Sequence, residues 1–141
     1  MGRNGAIVMN ILVVDDQPGV RYLLDVLARE AGHRVCVAEN GLSAIDAVRS
    51  FRPDLVFMDV RMPLMGGLEA LGIIKSLAPG TDVIIMTAYE SEETVSRALE
   101  GGALCCIAKP FDVEFIKEIL TRYGWKRAAL KAKAAGSGSC I

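Results

Sequence analysis

The sequence is poor in residues that several common functional sites require. Its 141 residues contain one histidine, His33, in a predicted helix-to-strand connection, which excludes a multi-histidine metal site and argues against a histidine-based triad. The four cysteines form no C-x-x-C pair, so neither zinc binding nor dithiol redox chemistry is predicted. We interpret Cys36, Cys105 and Cys106 as small buried apolar side chains.

Long apolar runs are also missing. No run approaches the ~20 residues that a membrane-spanning helix needs, and the first ten residues are too weakly apolar for a signal peptide. We therefore expect a cytoplasmic protein without membrane contact. With 52% apolar and 23% charged residues, the chain has the composition and length of one globular domain.

The net charge of −1 hides an asymmetry between the two ends of the chain. Residues 125–141 hold four basic residues and no acid, which leaves 12 basic against 17 acidic residues before them. We divide the chain into an N-terminal extension (1–8), a domain (9–123), and a basic helical extension with a flexible tail (124–141). Gly124 is predicted to end the last helix of the domain, although the following residues could prolong it. The short basic tail is a weak nucleic-acid signal, and we expect no direct nucleic-acid binding by this domain.

Five short apolar runs alternate with five amphipathic stretches. The predicted strands are 10–14, 34–38, 54–58, 82–86 and 103–108, and the predicted helices are 18–31, 41–51, 67–77, 91–100 and 112–123. Continuous apolar runs are typical of parallel strands that are covered on both faces. The alternation predicts an α/β fold with a doubly wound, five-stranded parallel sheet.

Chemically active side chains follow four of these strands. They are Asp15 and Asp16 after the first strand, Asp59 after the third, Thr87 after the fourth and Lys109 after the fifth. In open α/β sheets this edge is where ligands bind. Three clustered carboxylates repel one another unless they hold a cation, and they suit Mg²⁺. Beside Mg²⁺, one carboxylate could act as a nucleophile toward a phosphoryl group.

Several motifs occur in a familiar order over about residues 9–123. The segments VVDDQ, PDLVFMDVRMPLMGG, MTAY and AKPF resemble those of response-regulator receiver domains in two-component signalling, which belong to the chemotaxis-regulator-like superfamily. The resemblance is greatest to the single-domain members that act in sporulation phosphorelays. It implies a flavodoxin-like (βα)5 fold with the strand order 2-1-3-4-5.

The same resemblance implies a role for each residue of the site. Asp59 corresponds to the phosphoacceptor, and Asp15 and Asp16 correspond to acids that bind Mg²⁺ together with Asp59 and the backbone carbonyl of Arg61. Phosphorylation and dephosphorylation of the aspartate would be catalysed by the domain itself, without conventional enzyme turnover.

Thr87 corresponds to a switch hydroxyl that turns toward the phosphate, and Lys109 to a lysine that pairs with it. The peptide bond between Lys109 and Pro110 is usually cis in the family. Cys106 departs from the family pattern, because many receivers have an aromatic residue there that swings inward on activation. Tyr89 is a candidate to cover the site.

The expected partners are a sensor histidine kinase and a histidine phosphotransferase. We predict that a histidine-bearing helix of the partner docks beside the site, while the chain itself is a monomer or weak dimer. The alternative for the apolar residues of the first helix is that they form a broad core-facing side. The residues predicted to contact the partner are Gln17, Gly19, Val20, Leu23, Pro110 and Phe111.

We weigh three alternatives to a single-domain relay protein, of which the first is open and the sequence argues against the other two. The first is a receiver domain truncated from a larger two-component transcriptional regulator, with the same chemistry but a separate DNA-binding output. The second is a haloacid-dehalogenase-like phosphatase, which needs a general acid where this chain has Arg61. The third is a flavodoxin-like cofactor-binding protein, which needs a phosphate-binding loop where the chain has its acidic pair.

Overall fold

Five parallel strands and five helices alternate along the chain. The structure is a computed structural model that describes residues 8–136; the predicted flexible tail beyond 136, with Cys140, lies outside the described residues. The strands are β1 (Asn10–Val14), β2 (Arg34–Ala38), β3 (Leu55–Asp59), β4 (Asp82–Thr87) and β5 (Cys105–Ala108). The helices are α1 (Pro18–Glu30), α2 (Gly41–Phe51), α3 (Gly67–Leu77), α4 (Glu92–Glu100) and α5 (Val113–Gly136).

The order of the strands in the sheet is β2-β1-β3-β4-β5, with every pair parallel. This confirms the predicted doubly wound architecture. Between residues 8 and 136, the helices all lack the combination of length and apolarity that a membrane crossing demands.

The two faces of the sheet are covered by separate hydrophobic clusters. Because side chains of a strand point alternately to opposite faces, Val56 and Met58 of β3 join a cluster with α2, α3 and α4. Leu55 and Phe57 of the same strand join the other cluster, with α1 and α5. The covering of both faces explains why the strands are continuously apolar in sequence.

The ends of the helices follow local signals in the sequence. Pro18 lies in the first turn of α1, where its missing N–H has no partner to lose. The Ser91 hydroxyl accepts a hydrogen bond from the Thr94 N–H and caps α4, as the sequence predicts. Gly32, just after α1, has a φ of 95°, a conformation that glycine adopts without steric cost.

The fifth helix does not end at Gly124, so the prediction of its end was wrong and the suggested prolongation is present. Gly124 is buried, and a Cβ atom added there would lie 3.8 Å from Cε of Met9. The next turn is held by Arg127, whose Nη2 donates to Oδ1 of Asp54 at 2.7 Å. These tertiary contacts offset the low helix propensity of glycine, which costs about 1 kcal/mol relative to alanine.

Candidate functional site

The site lies at the carboxyl edge of the sheet, and the alternation of side chains along the strands decides which groups face one another. Asp59 is the last residue of β3 and continues the row of Leu55 and Phe57, on the α1 and α5 side. Asp15 and Lys109 follow β1 and β5 at the same alternate spacing. Three groups from three strands therefore arrive on one side of the sheet edge.

The ammonium group of Lys109 is the centre of this arrangement. Its Nζ donates to Oδ2 of Asp15 at 3.0 Å, to Oε1 of Gln17 at 3.0 Å and to Oδ1 of Asp59 at 3.3 Å. The lysine side chain is only 10% exposed, and those of the two aspartates are 0% and 9% exposed. In such a poorly solvated place a cation compensates charge that water would otherwise screen.

The carboxylate cluster has more negative charge than Lys109 can balance. One oxygen from each of Asp15, Asp16 and Asp59 lies within 4.8 Å of the others, with Asp15 and Asp59 buried and Asp16 exposed. Burial and then the charge of Asp15 raise the pKa of Asp59, and Lys109 acts in the opposite direction. Several carboxylate oxygens at this spacing are the ligands that a hard divalent cation takes, so the cluster could bind a metal.

Thr87 ends β4 on the opposite alternate row from Asp59, beside Val83 and Ile85. It is buried, and its Oγ1 accepts a hydrogen bond from the Tyr89 N–H at 3.0 Å. The hydroxyl thus holds the loop that leads to α4. It does not form a hydrogen bond with the ammonium group of Lys109. Of the predicted groups, Asp15 and Asp59 both contact Lys109, whereas the Thr87 hydroxyl is hydrogen-bonded to the Tyr89 N–H.

The carboxylates open into a cavity of about 580 Å³. Its rim includes Arg61 and Tyr89, which lie on the loops after β3 and β4. The guanidinium carbon of Arg61 is 6.0 Å from the centre of the Tyr89 ring. Cys106 occupies the position at which many receivers have an aromatic residue. It is half-buried against the hydrophobic cluster of α2, α3 and α4.

A second, apolar cavity of about 350 Å³ adjoins the first and shares Gln17, Ala88 and Lys109 with it. Five of the six residues predicted to contact a partner line it, namely Gln17, Val20, Leu23, Pro110 and Phe111. Gly19 does not line it, but the residue is exposed and a Cβ atom there would meet nothing within 4 Å. The peptide bond between Lys109 and Pro110 is cis.

The loop after β3 packs against the backbone of Asp59 itself. The Gly67 N–H donates to the Val60 carbonyl at 2.8 Å. A Cβ atom at Gly67 would lie 2.1 Å from the Asp59 carbonyl oxygen, far inside van der Waals contact. Glycine is therefore required where this loop enters α3.

Two contacts of the site were missed by the sequence reasoning. Nη1 of Arg21 donates to the Asp15 carbonyl oxygen at 2.8 Å, and Gln17 serves as an acceptor for Lys109 as well as a surface residue. Arg21 follows Gln17 by four residues, so both lie on one side of the first turns of α1. That spacing was the available signal.

Comparisons with known proteins agree with this geometry. The family described as "Response regulator receiver domain" matches residues 11–121. The chain is 42% identical over 113 residues to "Sporulation initiation phosphotransferase F" of Bacillus subtilis (strain 168), covering 80% of this chain and 91% of that protein. It is 43% identical to "Transcriptional regulatory protein ZraR" of Klebsiella oxytoca, covering 80% of this chain but only 26% of that protein.

A solved structure has the same fold as the chain and a partly similar sequence. The chemotaxis response regulator CheY4 of Vibrio cholerae superimposes with a TM-score of 0.76 at 28% identity, over 82% of this chain and 98% of the other.

Proposed function

The chain belongs to the response regulator receiver domain family of two-component signalling, and from this premise we propose that Asp59 accepts a phosphoryl group from a phosphohistidine of a sensor histidine kinase. The observation that carries the proposal is the contact of Lys109 with both Asp15 and Asp59. Lys109 partly balances the charge of the Asp59 carboxylate, which remains nucleophilic and faces an open cavity.

We further propose Mg²⁺ as the cation of the carboxylate cluster. Asp15, Asp16, Asp59 and the backbone carbonyl of Arg61 would hold it, and the three carboxylates fit this role by their spacing. When bound, Mg²⁺ supplies positive charge to the oxygens of the incoming phosphoryl group.

In the transfer step, a carboxylate oxygen of Asp59 forms a bond to phosphorus while the P–N bond of the phosphohistidine breaks. The electron pair of that bond returns to the imidazole nitrogen. The ammonium group of Lys109, 3.3 Å from Asp59 in the unphosphorylated chain, then pairs with a phosphoryl oxygen. Such catalysis consists mainly of positioning and electrostatic stabilisation, and hydrolysis of the acyl phosphate by water returns the domain to its first state.

Thr87 is proposed to report the phosphorylated state. Its hydroxyl accepts from the Tyr89 N–H in this structure. A phosphoryl oxygen at Asp59 offers the hydroxyl a stronger, charged acceptor. If the side chain turned toward that oxygen, the Tyr89 N–H would lose its partner and the loop before α4 would rearrange. The equilibrium between the two loop arrangements can shift only by as much as the phosphoryl group stabilises one arrangement more than the other.

The apolar cavity beside the site is the proposed docking place for the histidine-bearing helix of the kinase or of a histidine phosphotransferase. It shares Lys109 and Gln17 with the cavity of Asp59, so a helix seated on Val20 and Leu23 would hold its phosphohistidine over the carboxylate. The match along 91% of the length of the sporulation phosphotransferase favours a relay role, in which Asp59 passes the phosphoryl group to a second histidine.

The proposal is tested by mass spectrometry of the intact protein after incubation with acetyl phosphate and Mg²⁺. We expect the wild type to gain the mass of one phosphoryl group and Asp59→Asn to gain none. Addition of EDTA should abolish the gain. A phosphorylated Asp59→Asn chain, or labelling that is independent of Mg²⁺, would contradict the assignment.

A further inference from the structure

A cavity of about 570 Å³ lies at the opposite, amino-terminal edge of the sheet from Asp59. It is bounded by the end of α2, the residues that precede β3 and β4, and one side chain of α5. Nothing in the proposed phosphoryl transfer uses this region.

Three arginines line this cavity, and only one of them has its charge balanced. Nη2 of Arg127 donates to Oδ1 of Asp54 at 2.7 Å, while Oδ2 of Asp54 accepts the Asn10 N–H at 2.8 Å. Both oxygens of the one carboxylate in the cavity wall are therefore occupied. Within residues 8–129, whose side chains the structure describes, Arg49 and Arg52 have no side-chain hydrogen bond or ion pair.

Arg127, on α5, also has a hydrogen-bond donor without an acceptor. Nε of Arg127 is buried and has no hydrogen-bond partner among the described residues. A buried donor without a partner is costly and usually marks a missing acceptor. The surplus of positive charge is notable because the chain before residue 125 has 12 basic against 17 acidic residues.

Apolar side chains form much of the rest of the wall, which also includes the buried Thr81. Pro53 is buried, Val48 is 3% exposed, and Leu77 leaves 45% of its surface open on the rim. A wall that carries arginine side chains as well as aliphatic ones suits a ligand that joins an anionic group to an apolar body.

We propose that this cavity binds a phosphorylated small molecule. Its phosphate oxygens are held by Arg49 and Arg52, and its apolar part lies against Leu77. Guanidinium groups recognise phosphate through pairs of charged hydrogen bonds. The site is independent of the chemistry at Asp59, since the two cavities share no residue.

The test uses the full chain in EDTA with ADP as the probe, because ADP joins a diphosphate to a flat ring, and adenosine as the matched ligand without phosphate. Binding is followed through the backbone amide shifts in NMR spectra. We expect saturable shifts at Gly80 and Thr81 with ADP and none with adenosine.

Arg49→Gln and Arg52→Asn should weaken ADP binding about tenfold or more. Asparagine is chosen because Arg52 has a φ of 53°, which asparagine tolerates.

Arg97→Gln is the control. Arg97 lies in the last turn of α4, which matches the place of Arg49 in the last turn of α2, but Arg97 does not line the cavity. It should bind ADP as the wild type does. All variants should still be phosphorylated by acetyl phosphate, which shows that they are folded. Absence of saturable shifts in the wild type, shifts centred on Lys109, or equal weakening by Arg97→Gln would overturn the proposal.

Discussion

Arg61 and Tyr89 come from different loops, and the guanidinium carbon of Arg61 lies 6.0 Å from the centre of the Tyr89 ring. Both residues line the cavity of Asp59, and the Tyr89 side chain is 75% exposed. We propose that together they form a partial cover that hinders the approach of bulk water to Asp59.

Removal of this cover should shorten the lifetime of the aspartyl phosphate. An exposed cation–π contact contributes about 0.5–1 kcal/mol, so Tyr89→Ala should speed hydrolysis about two- to fivefold. The measurement is the decay of radiolabelled protein after the phosphate donor is removed. Tyr22→Ala serves as the control, since Tyr22 is 71% exposed and does not line the cavity. An unchanged decay rate for Tyr89→Ala would show that the pair does not hinder water.

A negative charge in the apolar cavity should block transfer from a protein donor but not from a small molecule. Leu23→Glu places a carboxylate where a partner helix is proposed to pack, so phosphotransfer from a phosphorylated histidine phosphotransferase should fall strongly. Labelling by acetyl phosphate should persist. Leu42→Glu is the matched change, because Leu42 is 47% exposed on α2. If Leu23→Glu impaired both reactions equally, its effect would be on the site and not on docking.

Two glycines of α3 should respond in opposite directions to alanine. Gly67→Ala forces a methyl group against the Asp59 carbonyl, which should cost about 1–3 kcal/mol of unfolding free energy and slow phosphorylation. Gly72→Ala meets nothing within 4 Å and should gain about 0.5–1 kcal/mol from helix propensity. Urea denaturation and acetyl phosphate labelling measure both effects. A fully active Gly67→Ala chain would mean that the loop relaxes without disturbing Asp59.

Stability should fall in alkaline solution because of Tyr123. Burial, followed by the hydrogen bond with Asp82, raises the pKa of the Tyr123 hydroxyl. The unfolded chain therefore releases this proton first, so the contribution is complete below the unfolded pKa of about 10 and declines as pH rises above it.

Tyr123→Phe should reduce this decline in urea denaturation curves that are measured on both sides of about pH 10. At neutral pH the variant should lose about 1–3 kcal/mol, because Asp82 loses a donor. Tyr22→Phe, at an exposed position, should leave both quantities unchanged. An alkaline slope that is identical in the wild type and Tyr123→Phe would assign the decline to other groups.

The sequence predicted what depends on local pattern and strand order. Continuous apolar runs placed the strands within one or two residues, and the residues after them placed Asp15, Asp59 and Lys109 at one edge. It could not predict contacts that depend on how α5 lies across the sheet. The helix passes through Gly124 because Met9 packs there and Arg127 reaches Asp54, which are partners 115 and 73 residues apart in the chain.

The alternation of β3 links the length of that strand to the chemistry at its end. One inserted residue would send Asp59 to the face of α2 and α3, away from Lys109. Two inserted residues would restore the face but advance the carboxylate by ~6.6 Å, beyond the reach of the ammonium group. We therefore expect insertions and deletions to be tolerated in the loops at the far edge and in the helices, but not between Leu55 and Asp59, where they would break the contact of Asp59 with Lys109.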